Sequence, residues 1–152
     1  MLAIIGGSPA RFAPYTDLYQ HADEQFGTTA YPVGVYSLGF ITDSGGLAKE
    51  TSYSAYKQMR DRIGAERGWA PMTRSEFEHE AQYGALHIGS PETVARKIAG
   101  TIRSLDAGRF DLIYSGGAVS ASARLRSVEL YGTKVIPMVR ELLSEKPATE
   151  GK

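Results

Sequence analysis

Three glycine-containing turns carry the residues of this sequence that could bind a charged ligand. In the first, "IIGGSP", Gly6, Gly7 and Ser8 follow a short apolar segment and precede Pro9. Small residues at a helix start leave backbone N–H groups free, and these groups attract phosphates and carboxylates. Serine and proline are also good helix starters in their own right. The turn therefore predicts either an anion contact at Ser8 or a helix cap.

The other two turns have similar compositions. The "GSP" at residues 89–91 repeats the first turn, and there the helix-start interpretation is the stronger one. The third, "YSGG", places Tyr114, Ser115, Gly116 and Gly117 at the end of an apolar strand. α/β proteins bind ligands at the carboxyl ends of strands, and glycines let a flat ligand approach the backbone. A tight strand-to-helix turn explains the same glycines equally well.

No self-contained catalytic group can be found among the remaining residues. The three histidines, His21, His79 and His87, lack metal-ligand spacing and are expected to be surface or hydrogen-bonded core residues. The G-x-S-x-G motif of serine hydrolases is missing, and the absence of cysteine excludes thiolate chemistry. We expect a cofactor to supply any redox or group-transfer chemistry.

Hydrophobic periodicity predicts alternating strands and helices. Residues 2–5 and 31–43 predict two strands, and the apolar residues between them recur at helical spacing, with Pro14 marking a kink or the true helix start. Strand starts about 30 residues apart are typical of a parallel βαβ unit. Tyr36 and Ser37 are placed at the end of the second strand.

The second half of the chain continues this alternation. Residues 44–68 begin loosely and become helical around Tyr53, and Thr73 with Glu76 forms a capping box. "ALHI" resembles a short strand, a helix follows, and "RFDLIYSGG" predicts the third convincing strand. The sequence thus predicts one α/β domain over residues 1–146 and a polar tail at 147–152.

Composition limits the partners of the chain. Its 152 residues carry 17 basic and 17 acidic side chains, so no net charge favours nucleic acid or an anionic membrane. The N-terminus lacks a basic region and a long apolar run, so we expect no signal peptide or transmembrane span and a cytoplasmic location.

Five segments, taken together and in order, resemble the C-terminal part of bacterial luciferase-like monooxygenases. They are "AIIGGSPARFAPYTDLY", "IGAERGWAPMTRSEFEHE", "GALHIGSPETVARKI", "FDLIYSGG" and "RSVELYGTKVIPMVREL". The resemblance implies part of a (β/α)8 TIM barrel, with the three strands corresponding to strands six to eight. It also implies an oxidoreductase that uses reduced FMN, or the deazaflavin F420, in oxidising a small organic substrate with O₂.

The resemblance further implies where a cofactor would bind. The implied residues, all near the ends of the three strands, are Gly6, Gly7, Ser8, Tyr36, Ser37, Tyr114, Ser115, Gly116 and Gly117. Neither a catalytic residue nor a metal site is implied. Two departures fall near this face: "GGAVSASARLRS" replaces a Pro-His pair after the last glycines, and "SGGLAKE" replaces a more acidic helix opening.

A complete barrel needs about 250 residues, so three strands cannot close one. We therefore expect a truncated or fragmentary monooxygenase whose first residue lies inside a domain. The alternatives are a non-catalytic flavin-binding or assembly module, and a half-barrel that complements a partner chain. Strands 2–5 and 110–114 would be open edges, which predicts a homo-oligomer or an N-terminal half-barrel partner.

Overall fold

Strands and helices alternate along the part of the chain that the structure describes. In this computed structural model the described residues are 2–4 (backbone only), 7–29, 31–114 and 116–145. The elements, in order, are β1 (Leu2–Ile4), α1 (Ala13–Phe26), β2 (Val33–Ile41), α2 (Gly45–Glu66), α3 (Arg74–Gln82), β3 (His87–Gly89), α4 (Pro91–Leu105), β4 (Ala107–Ile113), α5 (Ala121–Leu130) and α6 (Ile136–Ser144). A 3₁₀ turn, Pro9–Phe12, precedes α1, and a π-helical turn, Tyr131–Val135, joins α5 to α6.

All described strands run parallel in one sheet centred on β2. β1 pairs with the first half of β2, from Leu2 opposite Gly34 to Ile4 opposite Tyr36, and β4 pairs with β2 from Val33 to Leu38. β3 pairs with the last three residues of β2. The predicted α/β class and three parallel strands are confirmed, and the "ALHI" segment supplies a short fourth strand. Within the described residues, β1 and β4 each pair with β2 alone. This agrees with the prediction that both are edge strands.

The side chains of β2 divide the apolar core into two layers. Val33, Val35 and Ile41 face one side, where α1, α4 and α6 cover them. Leu38 and Phe40 face the other side and pack against α2 and α3. Because helices cover both faces, β2 is a nearly continuous apolar run rather than a strict alternation of apolar and polar residues.

Helix boundaries confirm two expectations and correct one. α1 begins at Ala13 after an irregular turn, so Pro14 marks the true start of the helix. The capping box of Thr73 and Glu76 is present at α3. The loose start expected for residues 44–68 is wrong, because α2 is helical from Gly45, with the Ser44 hydroxyl accepting a hydrogen bond from the Leu47 N–H at 3.4 Å. The predicted tail at 147–152 lies outside the described residues.

His87 is a fully buried core residue with hydrogen-bonding partners. Its Nδ1 lies 3.0 Å from the Ala85 carbonyl oxygen and its Nε2 lies 3.5 Å from the Thr101 hydroxyl. The ring also meets the edge of Phe110 at 4.8 Å between centroids. Burial, and secondarily the nearby charge of Lys97, lowers the pKa of His87 to about 3, so the imidazole is neutral. This histidine stabilises the core.

Lys97 joins α3 to β3 through three backbone carbonyls. Its Nζ donates to the oxygens of Glu80, Ala81 and Leu86 at 3.1, 2.7 and 2.6 Å. The first two carbonyls belong to the last turn of α3, where intrahelical donors run out. Desolvation lowers the pKa of this ammonium to about 8. No sequence pattern marks this residue, because its partners come from another element.

Candidate functional site

The turn after β1 keeps the predicted anion contact available. Gly7 has a φ of +83°, in the left-handed region that favours glycine. Ser8 occupies the N-cap position of the turn Pro9–Phe12, but its side chain makes no capping hydrogen bond. The hydroxyl of Ser8 is therefore not used as a cap, and its contact with an anion stays a prediction. Gly6 lies outside the described residues.

Ser90 behaves differently although its turn has the same composition. Its hydroxyl accepts a hydrogen bond from the Thr93 N–H at 3.4 Å at the start of α4. It also interacts with the carboxyl group of Glu92 and lowers the pKa of that group. The second turn is thus a helix cap, which is the interpretation that the sequence favours.

The glycines after β4 allow close contact with a helix. Gly117 has a φ of +126°, and a Cβ added there would lie 2.5 Å from the carbonyl carbon and oxygen of Ala55 in α2. A Cβ on Gly116 would lie 3.7 Å from the side chain of Leu38. α2 therefore fills the space beside Gly117, and Leu38 of β2 lies beside Gly116. Ser115 lies outside the described residues.

Tyr36 and Ser37 do not lie at the end of their strand, contrary to the sequence expectation. β2 continues to Ile41, so both residues are in the middle of the strand, with Tyr36 opposite Ile4 and Asp111. Ser37 is buried, and its hydroxyl donates to the Ala85 carbonyl oxygen. The strand extends further because β3 pairs with its last three residues. Cofactor binding by these two residues stays a prediction.

The residues at the end of β4 line a small cavity. The small cavity between α2 and the sheet measures about 20 Å³, which holds about one water molecule. Its lining includes Tyr114, Gly116 and Gly117 together with Leu38 and Tyr56. Ligand sites for drug-sized molecules measure roughly 300–1,000 Å³, so a flavin ring does not fit here.

Two larger grooves flank α2, one beside each glycine turn. The groove at Gly117 measures about 540 Å³ and is lined by Ala55, Gln58, Met59, Arg62, Gly117 and Ala118. The groove at Gly7 measures about 500 Å³ and is lined by Gly7, Tyr56, Arg60, Trp69, Met72, Ser75, Glu76, His79 and Glu80. Both have the volume of a ligand site, and the second offers more aromatic and titratable side chains.

Tyr56, Arg60 and Trp69 are among the residues that line the Gly7 groove, and Arg67 lies outside this lining but contacts Trp69. The guanidinium groups of Arg60 and Arg67 lie 5.3 and 5.2 Å from the ring centroid of Trp69. Arg60 also donates to the Ala70 carbonyl oxygen, which fixes the loop that carries the tryptophan. These side chains can contact a planar ring and balance a negative charge.

The two carboxylates of the Gly7 groove accept hydrogen bonds from backbone N–H groups. Glu76 accepts a hydrogen bond from the Thr73 N–H at 2.7 Å and another from the Thr73 hydroxyl. These two hydrogen bonds lower the pKa of Glu76. Glu80 accepts from the Ala85 N–H at 3.2 Å. His79 is exposed in the groove, with its ring 5.2 Å from that of Tyr83.

Sequence reasoning missed most residues of the Gly7 groove. Tyr56 and Arg60 are four residues apart and therefore share one face of α2, which is a signal that the sequence contains. Their proximity to Gly7 depends on how α2 and α3 pack on the sheet. Among the described residues, no group of three or more His, Cys, Asp or Glu side chains could hold a metal ion.

Comparisons with known proteins give matches by structure. No family model matches the sequence, and no curated protein matches it. Monooxygenase RslO1 from Streptomyces bottropensis superposes with a TM-score of 0.73 at 14% identity, over 90% of this chain and 40% of that chain. The oxygenating constituent of 3,6-diketocamphane monooxygenase from Pseudomonas putida, in complex with FMN, has a TM-score of 0.63 at 18% identity, over 91% and 42%.

A third match uses a different cofactor. Coenzyme F420-dependent tetrahydromethanopterin reductase from Methanopyrus kandleri has a TM-score of 0.55 at 14% identity, over 90% of this chain and 44% of that chain. The chain thus spans about two fifths of the length of these solved structures. The fold expected from the resemblance to luciferase-like monooxygenases, part of a TIM barrel, is confirmed. No described helix combines the length and the apolar character needed to cross a lipid bilayer.

Proposed function

We propose that this chain forms part of a flavin-dependent oxidoreductase of the luciferase-like monooxygenase type. The observation that carries the proposal is the shared fold over about nine tenths of this chain with an FMN-complexed monooxygenase and an F420-dependent reductase. A reduced flavin, when bound, supplies the two electrons with which one oxygen atom of O₂ enters a small organic substrate and the other becomes water.

The Gly7 groove is the part of the described chain that fits such a cofactor. Its volume of about 500 Å³ suits a ring system, whereas the cavity between Tyr114 and Gly117 is too small. In this proposal Tyr56 and Trp69 contact the planar ring, and the charge of Arg60 balances an anionic group. Of the residues implied by the resemblance, Gly7 lines this groove and Ser8 follows it in the chain.

A binding module without turnover is the second candidate. α2 fills the space at Gly117, where the resemblance places part of the cofactor site. The two carboxylates of the Gly7 groove, Glu76 and Glu80, already accept hydrogen bonds from backbone N–H groups. Such a chain would bind flavin without activating O₂. A half-barrel that gains activity with a partner chain is the third candidate, and it is consistent with a match to only two fifths of each solved structure.

Fluorescence titration of FMN, with F420 in parallel, tests the proposal. We expect saturable quenching at micromolar protein, and loss of it when Ser75→Trp fills the Gly7 groove. The matched variant Gln58→Trp fills the Gly117 groove instead and is expected to leave the dissociation constant unchanged. No quenching by wild-type protein with either cofactor would contradict the proposal.

One further measurement tests the contact at Ser8, and another separates the enzyme from the binding module. Ser8→Ala is expected to weaken flavin binding several-fold, while Ser90→Ala, in a turn whose hydroxyl caps a helix, leaves binding unchanged. Consumption of O₂ with reduced FMN and a substrate panel distinguishes the enzyme from the binding module. Binding without consumption would favour the module.

A further inference from the structure

α3 ends without the local cap that three other helices have. α1, α2 and α4 each have a residue in the left-handed region at the carboxyl end, namely Gly27, Gly68 and Asp106, with φ of +64°, +70° and +45°. α3 ends at Tyr83 with a φ of −117°, and Gly84, which follows, has no positive φ. The last carbonyl oxygens of α3 therefore need hydrogen-bond donors from another part of the chain.

Lys97 of α4 supplies these donors. Its ammonium group donates to the carbonyl oxygens of Glu80 and Ala81, in the last turn of α3, at 3.1 and 2.7 Å. It also donates to the carbonyl oxygen of Leu86, just before β3, at 2.6 Å. An ammonium group has three N–H donors, which matches the three carbonyl oxygens, and its positive charge is favourable at the carboxyl end of a helix. Lys97 thus caps α3 from a different helix.

The last turn of α3 forms part of the Gly7 groove. Both His79 and Glu80 line the groove, and they are exposed and half-buried respectively. Apolar packing therefore does not hold these two side chains. Within this turn the core holds Ala81, whose side chain is a single methyl group. The shape of this side of the groove consequently depends on the hydrogen bonds of the turn's backbone.

We propose that Lys97 is a positioning residue for the Gly7 groove, which acts from outside the groove by capping the carboxyl end of α3 and holding its last turn in place. Without the cap, carbonyl oxygens of this turn would lack a donor, and unwinding of the turn would let them reach water. The capping is independent of any ligand, whereas the effect on a ligand in the groove rests on the proposed function.

Amide hydrogen exchange of the full chain at pH 7, followed by NMR, tests the capping. Lys97 is charged at this pH because its pKa is about 8. The amides of Tyr83 and Gly84 close the last turn of α3, at N–O distances of 2.8 and 3.1 Å from their acceptors. The amide of Phe77 closes the first turn at 3.2 Å. These three amides therefore report on the two ends of the helix separately.

Lys97→Met replaces the ammonium group with a neutral side chain of similar length. We expect Tyr83 and Gly84 to exchange at least about tenfold faster relative to Phe77 in this variant. Lys134→Met removes the charge of an exposed lysine on the π-helical turn and is expected to leave the ratio unchanged. Equal acceleration of the first and last turns would show that Lys97 contributes general stability alone, and would overturn the proposal.

Wild-type protein gives a second test that does not depend on the folding of a variant. Coupling between two sites is reciprocal, so saturating FMN in the Gly7 groove should slow the exchange of Tyr83 and Gly84. For the same reason, Lys97→Met should weaken FMN binding several-fold and Lys134→Met should not.

Quenching of FMN fluorescence shows separately whether FMN binds, and far-UV circular dichroism checks that both variants are folded. Binding without slower exchange of the last turn would overturn the positioning role. Absence of binding would contradict the proposed function, and the exchange ratio in Lys97→Met would then still decide the capping.

Discussion

At the scale of single residues, the core relies on buried polar groups with specific partners. His87 and Lys97 both lie next to the segment between α3 and β3, and both bind its carbonyl oxygens. Each would cost free energy if its partners were lost, because an unpaired polar group is poorly tolerated in an apolar environment. These groups connect the short strand β3 to the helices around it.

His87 makes the stability of the fold sensitive to mild acid. Burial lowers the pKa of His87 from the ordinary histidine value of 6.5 to about 3 in the folded chain, so between these two values only the unfolded chain takes up the proton. The free energy of unfolding is therefore expected to fall by about 1 kcal/mol between pH 6.5 and 5.5. In urea titrations, the free energy of unfolding of His87→Gln should fall less than that of the wild type over this pH interval. His21→Gln, at an exposed position, should show the same fall as the wild type. An equal fall in His87→Gln and the wild type would show that His87 is not the source of the pH dependence.

At the scale of elements, the position of α2 decides which surfaces are open. Its Tyr53 and Tyr56 pack on Phe77 of α3, with ring centroids 5.1 and 5.9 Å apart. The same cluster covers Phe40 of β2. α2 thereby lies against the turn after β4 and leaves a groove on either side. A ligand at the strand ends must use one of these grooves or displace the helix.

Gly117→Ala tests this placement. The added methyl group would meet the backbone of Ala55 at 2.5 Å and would occupy a φ of +126°, so we expect destabilisation by about 2 kcal/mol or more. Gly100→Ala is the matched control, since Gly100 lies within α4 with open space around it, and it is expected to stabilise by up to about 1 kcal/mol. Urea unfolding measures both, and equal stability of the two variants would contradict the contact.

At the scale of the whole molecule, β2 is the centre on which the sheet depends. β1 and β4 lie on its two edges and β3 on its carboxyl end, and its side chains enter all three clusters of the core. Within the described residues the outer strands have a neighbour on one edge alone. Their outward N–H groups are thus available to solvent or to another chain.

Hydrogen exchange should follow this arrangement. At concentrations where the chain is monomeric, the amides of β2 are expected to exchange slowest, through global unfolding. The outward amides of β4 are expected to exchange at least a hundredfold faster, since no described strand pairs with them. NMR-detected exchange resolves the two groups. Protection of β4 equal to that of β2 would mean that its outer edge is covered.

Features that depend on neighbouring residues could be predicted from the sequence. Periodicity and turn composition predicted the parallel strands and the capping box at Thr73, because these follow from local geometry and local hydrogen bonds. They left open whether Pro14 is a kink or the start of α1, and the structure shows that it is the start. The end of β2 and the position of α2 could not be predicted, because both depend on contacts between segments that are far apart in the sequence. The end of β2 depends on pairing with β3 some 48 residues later, which places Ser37 in the middle of the strand. The position of α2 depends on packing between distant apolar side chains, and that packing, rather than any local pattern, places one groove beside Gly7 and another beside Gly117.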